Sequence, residues 1–173
     1  MAEQLTIRGY IGTYTKKESK GIYTFQLNLN EKKLENVELA AEVGSPTYLT
    51  ISADKQYLYA VAKRGEQGGA AAFTVNTENG ILTSINEELS DGVSPCHISV
   101  DQANQHVITA NYHKGTIELQ QVASDGSLKP ISSLIKHEAQ VRIRIVKRRR
   151  MLTSPDLRLM RNLLLLSISV QTS

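Results

Sequence analysis

The chain has little of the cysteine that stabilises small secreted proteins, and it lacks the long apolar runs that cross membranes. Its 173 residues include one cysteine, two phenylalanines and no tryptophan. A single cysteine, Cys96, excludes an intrachain disulfide and favours a reducing compartment. No apolar run approaches the roughly 18 residues that would span a bilayer, and the first residues lack the basic and apolar regions of a secretory signal. We therefore expect a cytoplasmic protein with no membrane partner.

Common catalytic and metal signatures are missing as well. The sequence has no Gly-x-Ser-x-Gly nucleophile motif, and no Lys-Ser/Thr pair follows the glycines of residues 65–69, as it would in a phosphate-binding loop. The four histidines lack the spacing of metal ligands. We therefore expect no metal site and no nucleophilic serine.

What the chain does have is a repeat of 49 residues. Residues 45–61, Ser-Pro-Thr-Tyr-Leu-Thr-Ile-Ser-Ala-Asp-Lys-Gln-Tyr-Leu-Tyr-Ala-Val, return without a gap at residues 94–110, Ser-Pro-Cys-His-Ile-Ser-Val-Asp-Gln-Ala-Asn-Gln-His-Val-Ile-Thr-Ala. A period of this length that is built from short strands is typical of a β-propeller, in which each repeat forms one blade.

The pattern inside one repeat predicts four antiparallel strands. They cover residues 47–52, 56–63, 70–76 and 82–89, and the last two are joined by an Asn-Gly turn. The alternation of apolar residues predicts that Phe25, Phe73 and Leu119 occupy one face of their blades. Residues 5–15 match a second strand with no first strand before them. The fold class is therefore all-β, with about two and a half four-stranded antiparallel propeller blades.

The repeat stops after Glu138, which predicts a boundary there. Residues 139–173 contain no Gly, Tyr or Phe, and they carry eight basic side chains against one acidic one. We predict a partial propeller domain over residues 1–138 and an aberrant basic and leucine-rich tail over residues 139–173. Such a basic tail, taken alone, is typical of a segment that binds nucleic acid or an anionic membrane.

Several motifs in the propeller part resemble a known family. They are Tyr10-Ile-Gly-Thr-Tyr-Thr, Gly44-Ser-Pro-Thr-Tyr-Leu, Ser94-Pro-Cys-His-Ile-Ser-Val-Asp and Ala110-Asn-Tyr. In this order they resemble the lactonase family of seven-bladed β-propellers, of the 6-phosphogluconolactonase type, over residues 5–138. The resemblance implies hydrolysis of 6-phosphoglucono-lactone to 6-phosphogluconate in the pentose phosphate pathway. It also implies a sugar-phosphate lactone as the small-molecule partner, and no organic cofactor.

The tail is interpreted as a frameshift product. The family's Gly-Pro-Asn-Pro-x-Arg-Gln and Pro-His-x-His segments are absent in frame. The codons of residues 139–173 can be regrouped so that each new codon runs from the last base of one residue through the first two bases of the next. The codons allowed in this shifted frame include those for Thr-Gly-Pro-Asn-Pro-Asn-Arg-Gln and then for His-Val-His-Phe-Thr-Gly-Phe. We infer that one base was lost after the codon for Glu138. The arginine run is then incidental, and no nucleic-acid partner is expected.

This interpretation predicts a truncated chain without activity. Two alternatives stay open, a non-catalytic propeller fragment or scaffold and a muconate-type cycloisomerase. Blades that end in open edges also predict self-association, because unpaired strands are templates for another chain.

Five residues are candidates for the site. Lactone hydrolysis needs a general base, and His97 on the first strand of its blade is the catalytic candidate, with a structural hydrogen-bonding histidine as the alternative. Tyr48 occupies the equivalent position one blade earlier and is expected to line the channel. Arg64 is a candidate for the substrate phosphate, with a solvated turn residue as the alternative. Asn111 and Tyr112 resemble a family motif and are predicted at the channel rim.

Overall fold

The computed structural model describes residues 5–136, and every regular element in this range is a β-strand. The strands are β1 (Thr6–Gly12), β2 (Gly21–Asn28), β3 (Lys33–Glu42), β4 (Leu49–Ile51), β5 (Tyr57–Arg64), β6 (Gln67–Val75), β7 (Leu82–Asp91), β8 (His97–Val100), β9 (His106–Asn111), β10 (Thr116–Val122) and β11 (Leu128–Lys136).

These strands form three antiparallel sheets, each a propeller blade. The first sheet has the order β1-β2-β3, the second β4-β5-β6-β7 and the third β8-β9-β10-β11. The second and third sheets confirm the four-stranded blade that the repeat predicts. The first sheet begins at the second-strand position, as expected from residues 5–15, so its inner strand is absent among the described residues.

The 49-residue repeat is visible in the turns between first and second strands. Lys55 N donates to Ser52 O at 2.9 Å, and Asn104 N donates to Asp101 O at 3.0 Å. Lys55 and Asn104 both adopt the left-handed conformation, with φ of 60° and 52°. Asparagine tolerates this conformation better than lysine does, but the turn geometry is the same in both blades. The sequence copies are therefore structural copies.

Two hydrophobic clusters hold the three sheets together. Between the first and second sheets, Ile22 and Ala40 pack with Leu58 and Phe73. Between the second and third sheets, the cluster contains Tyr59, Val61, Ile98 and Val107 among its members. The central strands β5 and β6 of the second sheet alternate between these clusters, because successive side chains of a strand point to opposite faces. The second sheet is therefore covered on both faces.

The prediction that Leu119 shares the face of Phe73 is wrong. Phe73 is opposite Leu58 and faces the first sheet, whereas the equivalent pair in the third sheet is Gln120 opposite Val107. Leu119 lies on the other face of β10. The glycine-based alignment is one residue out of register: Gly69 is opposite Ala62, whereas Asn111, the equivalent of Ala62, is opposite Thr116 and not Gly115. A slip of one residue exchanges the two faces of a strand.

Candidate functional site

Four of the five predicted site residues lie at one end of the sheets, and Tyr112 follows in the adjoining turn. Tyr48 directly precedes β4 and His97 begins β8, while Arg64 ends β5 and Asn111 ends β9. In an antiparallel pair, the start of one strand lies beside the end of its neighbour. We call this end, made of residues 44–48, 64–67, 92–97 and 111–116, the rim.

Tyr48 and His97 are the two predicted residues that the fold brings into contact. They occupy equivalent positions in successive repeats, and their rings lie 4.5 Å apart between centroids at an angle of 49°. Val61 N donates to Tyr48 O at 3.0 Å, which fixes the approach to β4. Cys96 N donates to Ala110 O at 2.9 Å and fixes the approach to β8 in the same way. The phenol ring of Tyr48 and the imidazole ring of His97 are therefore held in contact where the two inner strands begin.

His97 has the properties of a neutral base. The imidazole is half-buried, and burial lowers its pKa from the usual 6.5 because the charged form loses hydration. Within residues 5–136, no hydrogen bond fixes either ring nitrogen. A neutral imidazole with a free nitrogen can accept a proton from water.

Arg64 points away from this pair. Its Nη2 lies 2.8 Å from Glu87 Oε2, an ion pair without the alignment of a hydrogen bond. Glu87 is on β7, the outermost strand of the second sheet, and β6 lies between β5 and β7. The guanidinium therefore extends outward across the sheet, not toward the inner strand β4.

Asn111 has a structural role at the rim. Its side chain is buried, Nδ2 donates to Val93 O at 2.7 Å, and Oδ1 accepts from Lys114 N at 3.0 Å. Both ends of the amide are used, so Asn111 ties the loop before β8 to the turn after β9. Tyr112 is 83% exposed in that turn and makes an edge-to-face contact with His113 at 5.7 Å.

The sequence did not predict the close backbone contacts at the rim. A Cβ on Gly44 would lie 1.9 Å from Lys63 O, and one on Gly68 would lie 2.4 Å from the backbone of Ser94. Ser94 Oγ also donates to Ala62 O at 2.9 Å, linking the second and third sheets. Gly44, beside the Ser-Pro pair of the repeat, was the feature of the sequence that could have indicated such close packing.

The other histidine of the sheets lies away from the rim. His106 begins β9, and its Nδ1 lies 3.1 Å from Asp101 Oδ2 at the end opposite the rim. Across the part of the chain that the structure describes, no cluster of three His, Cys, Asp or Glu side chains forms a metal site. The same residues include no helix long and apolar enough to cross a membrane.

Known proteins are similar to this chain in both sequence and blade geometry. A family model described as lactonase, 7-bladed beta-propeller, matches residues 8–148. The chain is 48% identical over 125 residues to a 6-phosphogluconolactonase of Bacillus subtilis, an alignment that covers 72% of this chain and 36% of that protein.

Two solved structures of similar proteins agree with the fold. A protein from Lactobacillus plantarum is 40% identical with a TM-score of 0.71, covering 77% of this chain and 38% of that one. A periplasmic gluconolactonase from Pseudomonas aeruginosa is 25% identical with a TM-score of 0.70, covering 78% and 40%.

The chain thus spans well under half the length of each of these relatives. The match nevertheless includes most of the chain, and its three sheets have the strand order of propeller blades. This chain belongs to the lactonase family of seven-bladed β-propellers.

Proposed function

We propose that this chain supplies three blades, and with them one wall of the substrate channel, of a cytoplasmic lactonase. Its reaction is the hydrolysis of 6-phosphoglucono-lactone to 6-phosphogluconate in the pentose phosphate pathway. The structural observation that supports this most is the contact between Tyr48, which directly precedes β4, and the half-buried His97 at the start of β8. The 48% identity to the Bacillus subtilis 6-phosphogluconolactonase supports the choice of substrate.

His97 acts in this proposal as the general base. Its neutral imidazole removes a proton from water as the water oxygen attacks the lactone carbonyl carbon. The bond between that carbon and the ring oxygen then breaks, and the ring oxygen takes up a proton to give the hydroxy acid. Tyr48 packs against the imidazole and holds the orientation of its plane.

We propose in addition that the 173-residue chain does not turn over this substrate alone. A phosphorylated lactone needs a cation for the phosphate and a donor for the developing oxyanion. Arg64, the candidate cation, is engaged with Glu87. The family's Arg-Gln and His-x-His segments can be read only out of frame in residues 139–173, which lie outside the described residues.

The test is a lactonase assay on two proteins. One is the 173-residue chain, and the other is expressed from the gene with one base restored after codon 138 and read to its next stop codon. We expect no hydrolysis above the spontaneous rate for the first and clear turnover for the second. The second is expected to lose activity on His97→Gln but not on His106→Gln, which changes a histidine at the opposite end of the sheets.

Other outcomes would contradict the proposal in separate ways. Turnover by the 173-residue chain would overturn its inactivity. Full activity of His97→Gln would overturn the role of the base. Turnover of a cyclic muconate lactone, but not of the phosphosugar lactone, would replace the proposed function with that of a cycloisomerase. A frame-restored protein that folds but acts on neither would favour a scaffold.

A further inference from the structure

A polar cleft lies between the second and third sheets, away from the Tyr48–His97 pair. Its volume is about 200 Å³. Five side chains that carry oxygen line it, together with apolar residues at its outer side. The five are Glu88, Ser90, Thr109, Glu118 and Gln120.

The cleft exists because both sides of this interface have lost apolar volume. On the third sheet, Gln120 stands where the second sheet has Phe73, since each is opposite the equivalent residue of the neighbouring strand. On the facing side, Ala70 of the second sheet stands where the first sheet has Ile22. The first interface is filled by Ile22 and Phe73, whereas the second has an alanine and a glutamine at these two positions.

Glu118 is a buried carboxyl group without an ion-pair partner among the described residues. It is only 8% exposed, and its Oε1 lies 3.2 Å from Thr116 Oγ1, a neutral donor. Within residues 5–136, no Lys, Arg or His nitrogen forms an ion pair with Glu118 or Glu88. Buried carboxylates are normally paired with a cation or coordinate a metal.

Two further buried polar side chains leave oxygen atoms available in the cleft. Thr109 is 2% exposed, and its hydroxyl makes no hydrogen bond within the part of the chain that is described. Gln120 donates from Nε2 to Lys129 O at 3.3 Å, which leaves its amide oxygen free to accept. Polar atoms that line a cleft and have no protein partner can bind water or a ligand.

We propose that this cleft binds a hydrated divalent cation of the Ca²⁺ and Mg²⁺ class. The available atoms are carboxylate, amide and hydroxyl oxygens, the ligands that hard cations prefer. Because one water takes about 30 Å³ in the liquid, the cleft has room for an ion with several waters. Two carboxylates completed by waters suit Mg²⁺ in particular.

The cation would join the two sheets on which the carboxylates lie. Glu88 is on β7 of the second sheet and Glu118 is on β10 of the third. Lys114 donates from Nζ to Ser90 Oγ at 3.2 Å beside the cleft, so its positive charge offsets part of the negative charge. This site serves the blade interface and does not depend on the proposed lactonase reaction.

The test measures binding and stability of the full chain after removal of metal with a chelator. Titration calorimetry with CaCl₂ and with MgCl₂ is expected to show saturable binding of one ion. Thermal unfolding is expected to shift upward with either salt but not with KCl at equal ionic strength. Glu118→Gln keeps the side-chain shape and is expected to weaken binding about tenfold or more, because one anionic ligand is lost.

The matched control is Glu78→Gln, which removes an exposed carboxylate from the turn between β6 and β7 and is expected to bind normally. If Glu118→Gln does not fold, Thr109→Val removes an oxygen at nearly constant volume and is expected to weaken binding severalfold. The proposal is overturned if the folded wild type binds neither ion, which would leave water as the occupant. It is also overturned if both cleft variants bind as the wild type does.

Discussion

At the scale of single residues, equivalent positions of the repeat carry different chemistry. Tyr48 and His97 stand at the same place in successive blades and touch each other, yet one carries a phenol ring and the other an imidazole, which is the usual general base of proteins. Tyr59 donates its hydroxyl to Asn104 Oδ1 at 3.1 Å, whereas the buried hydroxyl of Tyr10 has no partner within the described residues. The repeat therefore preserves backbone positions while its side chains take on different roles.

The lowered pKa of His97 leads to a prediction about pH. Because the folded state favours the neutral imidazole, the unfolded state binds more protons as the pH falls below about 6.5. We expect the free energy of unfolding to decrease as the pH falls through this value, and to level off below the folded pKa. In the NMR titration of the ring protons, we expect a His97 midpoint below 6.5.

His97→Gln tests the assignment of this effect. The variant is expected to remove the corresponding part of the pH dependence of unfolding. A His97 midpoint at or above 6.5 would contradict the burial of its ring against Tyr48.

At the scale of strands and turns, two glycines show how a hairpin is joined to the neighbouring blade. Gly126 and Gly65 both have positive φ, at 82° and 59°. A Cβ on Gly126 would lie 2.1 Å from the ring of Tyr57 in the second sheet, whereas a Cβ on Gly65 would meet nothing within 4 Å. The turn of Gly126 is thus part of a blade interface, and the turn of Gly65 is free.

Alanine substitutions at these glycines separate backbone strain from packing. Gly65→Ala is expected to cost about 1–2 kcal/mol, because an L side chain is strained at positive φ. Gly126→Ala is expected to cost roughly 1–3 kcal/mol more, because the added methyl group must displace the Tyr57 ring. Urea unfolding monitored by circular dichroism gives both values. Equal losses would show that the turn does not pack on Tyr57.

At the scale of the whole molecule, the three blades of residues 5–136 form an open series. Ile7 on the first sheet is 52% exposed and Ile135 on the third is 64% exposed, and each lies on the face turned away from the second sheet. The equivalent faces of the second sheet are covered by its neighbours. Within the described residues, the inner edge of β1 also has no partner strand.

We therefore predict self-association through these faces, as expected from the open edges of the repeat. Sedimentation velocity of the full chain is expected to show a mass that rises with concentration, because paired apolar faces and strand edges leave water together. Ile7→Lys and Ile135→Lys are each expected to reduce association. Val93→Lys, in the exposed loop before β8, is the control and is expected to have little effect. A monomer at every concentration would contradict this prediction.

Much of the fold could be predicted from the sequence. The strands of the second sheet, now β4 to β7, begin and end within three residues of their predicted bounds. Of the site, the equivalent placement of Tyr48 and His97 where the inner strands of successive blades begin followed from the 49-residue repeat. The partners of Arg64 and Asn111 did not, because Glu87 and Val93 approach them only through the pairing and packing of the sheets.

The sequence by itself determined the strands, the turns and the family, because alternation and turn residues act over a few neighbouring positions. Only the tertiary structure decided which face of β10 meets the second sheet, since the strand pairing makes Thr116 and not Gly115 the equivalent of Gly69, a shift of one residue that puts Gln120 in place of Leu119. That exchange places polar side chains opposite Ala70 and opens the cleft. Such a feature depends on which residues oppose each other across a blade interface, and neither blade's sequence contains that information alone.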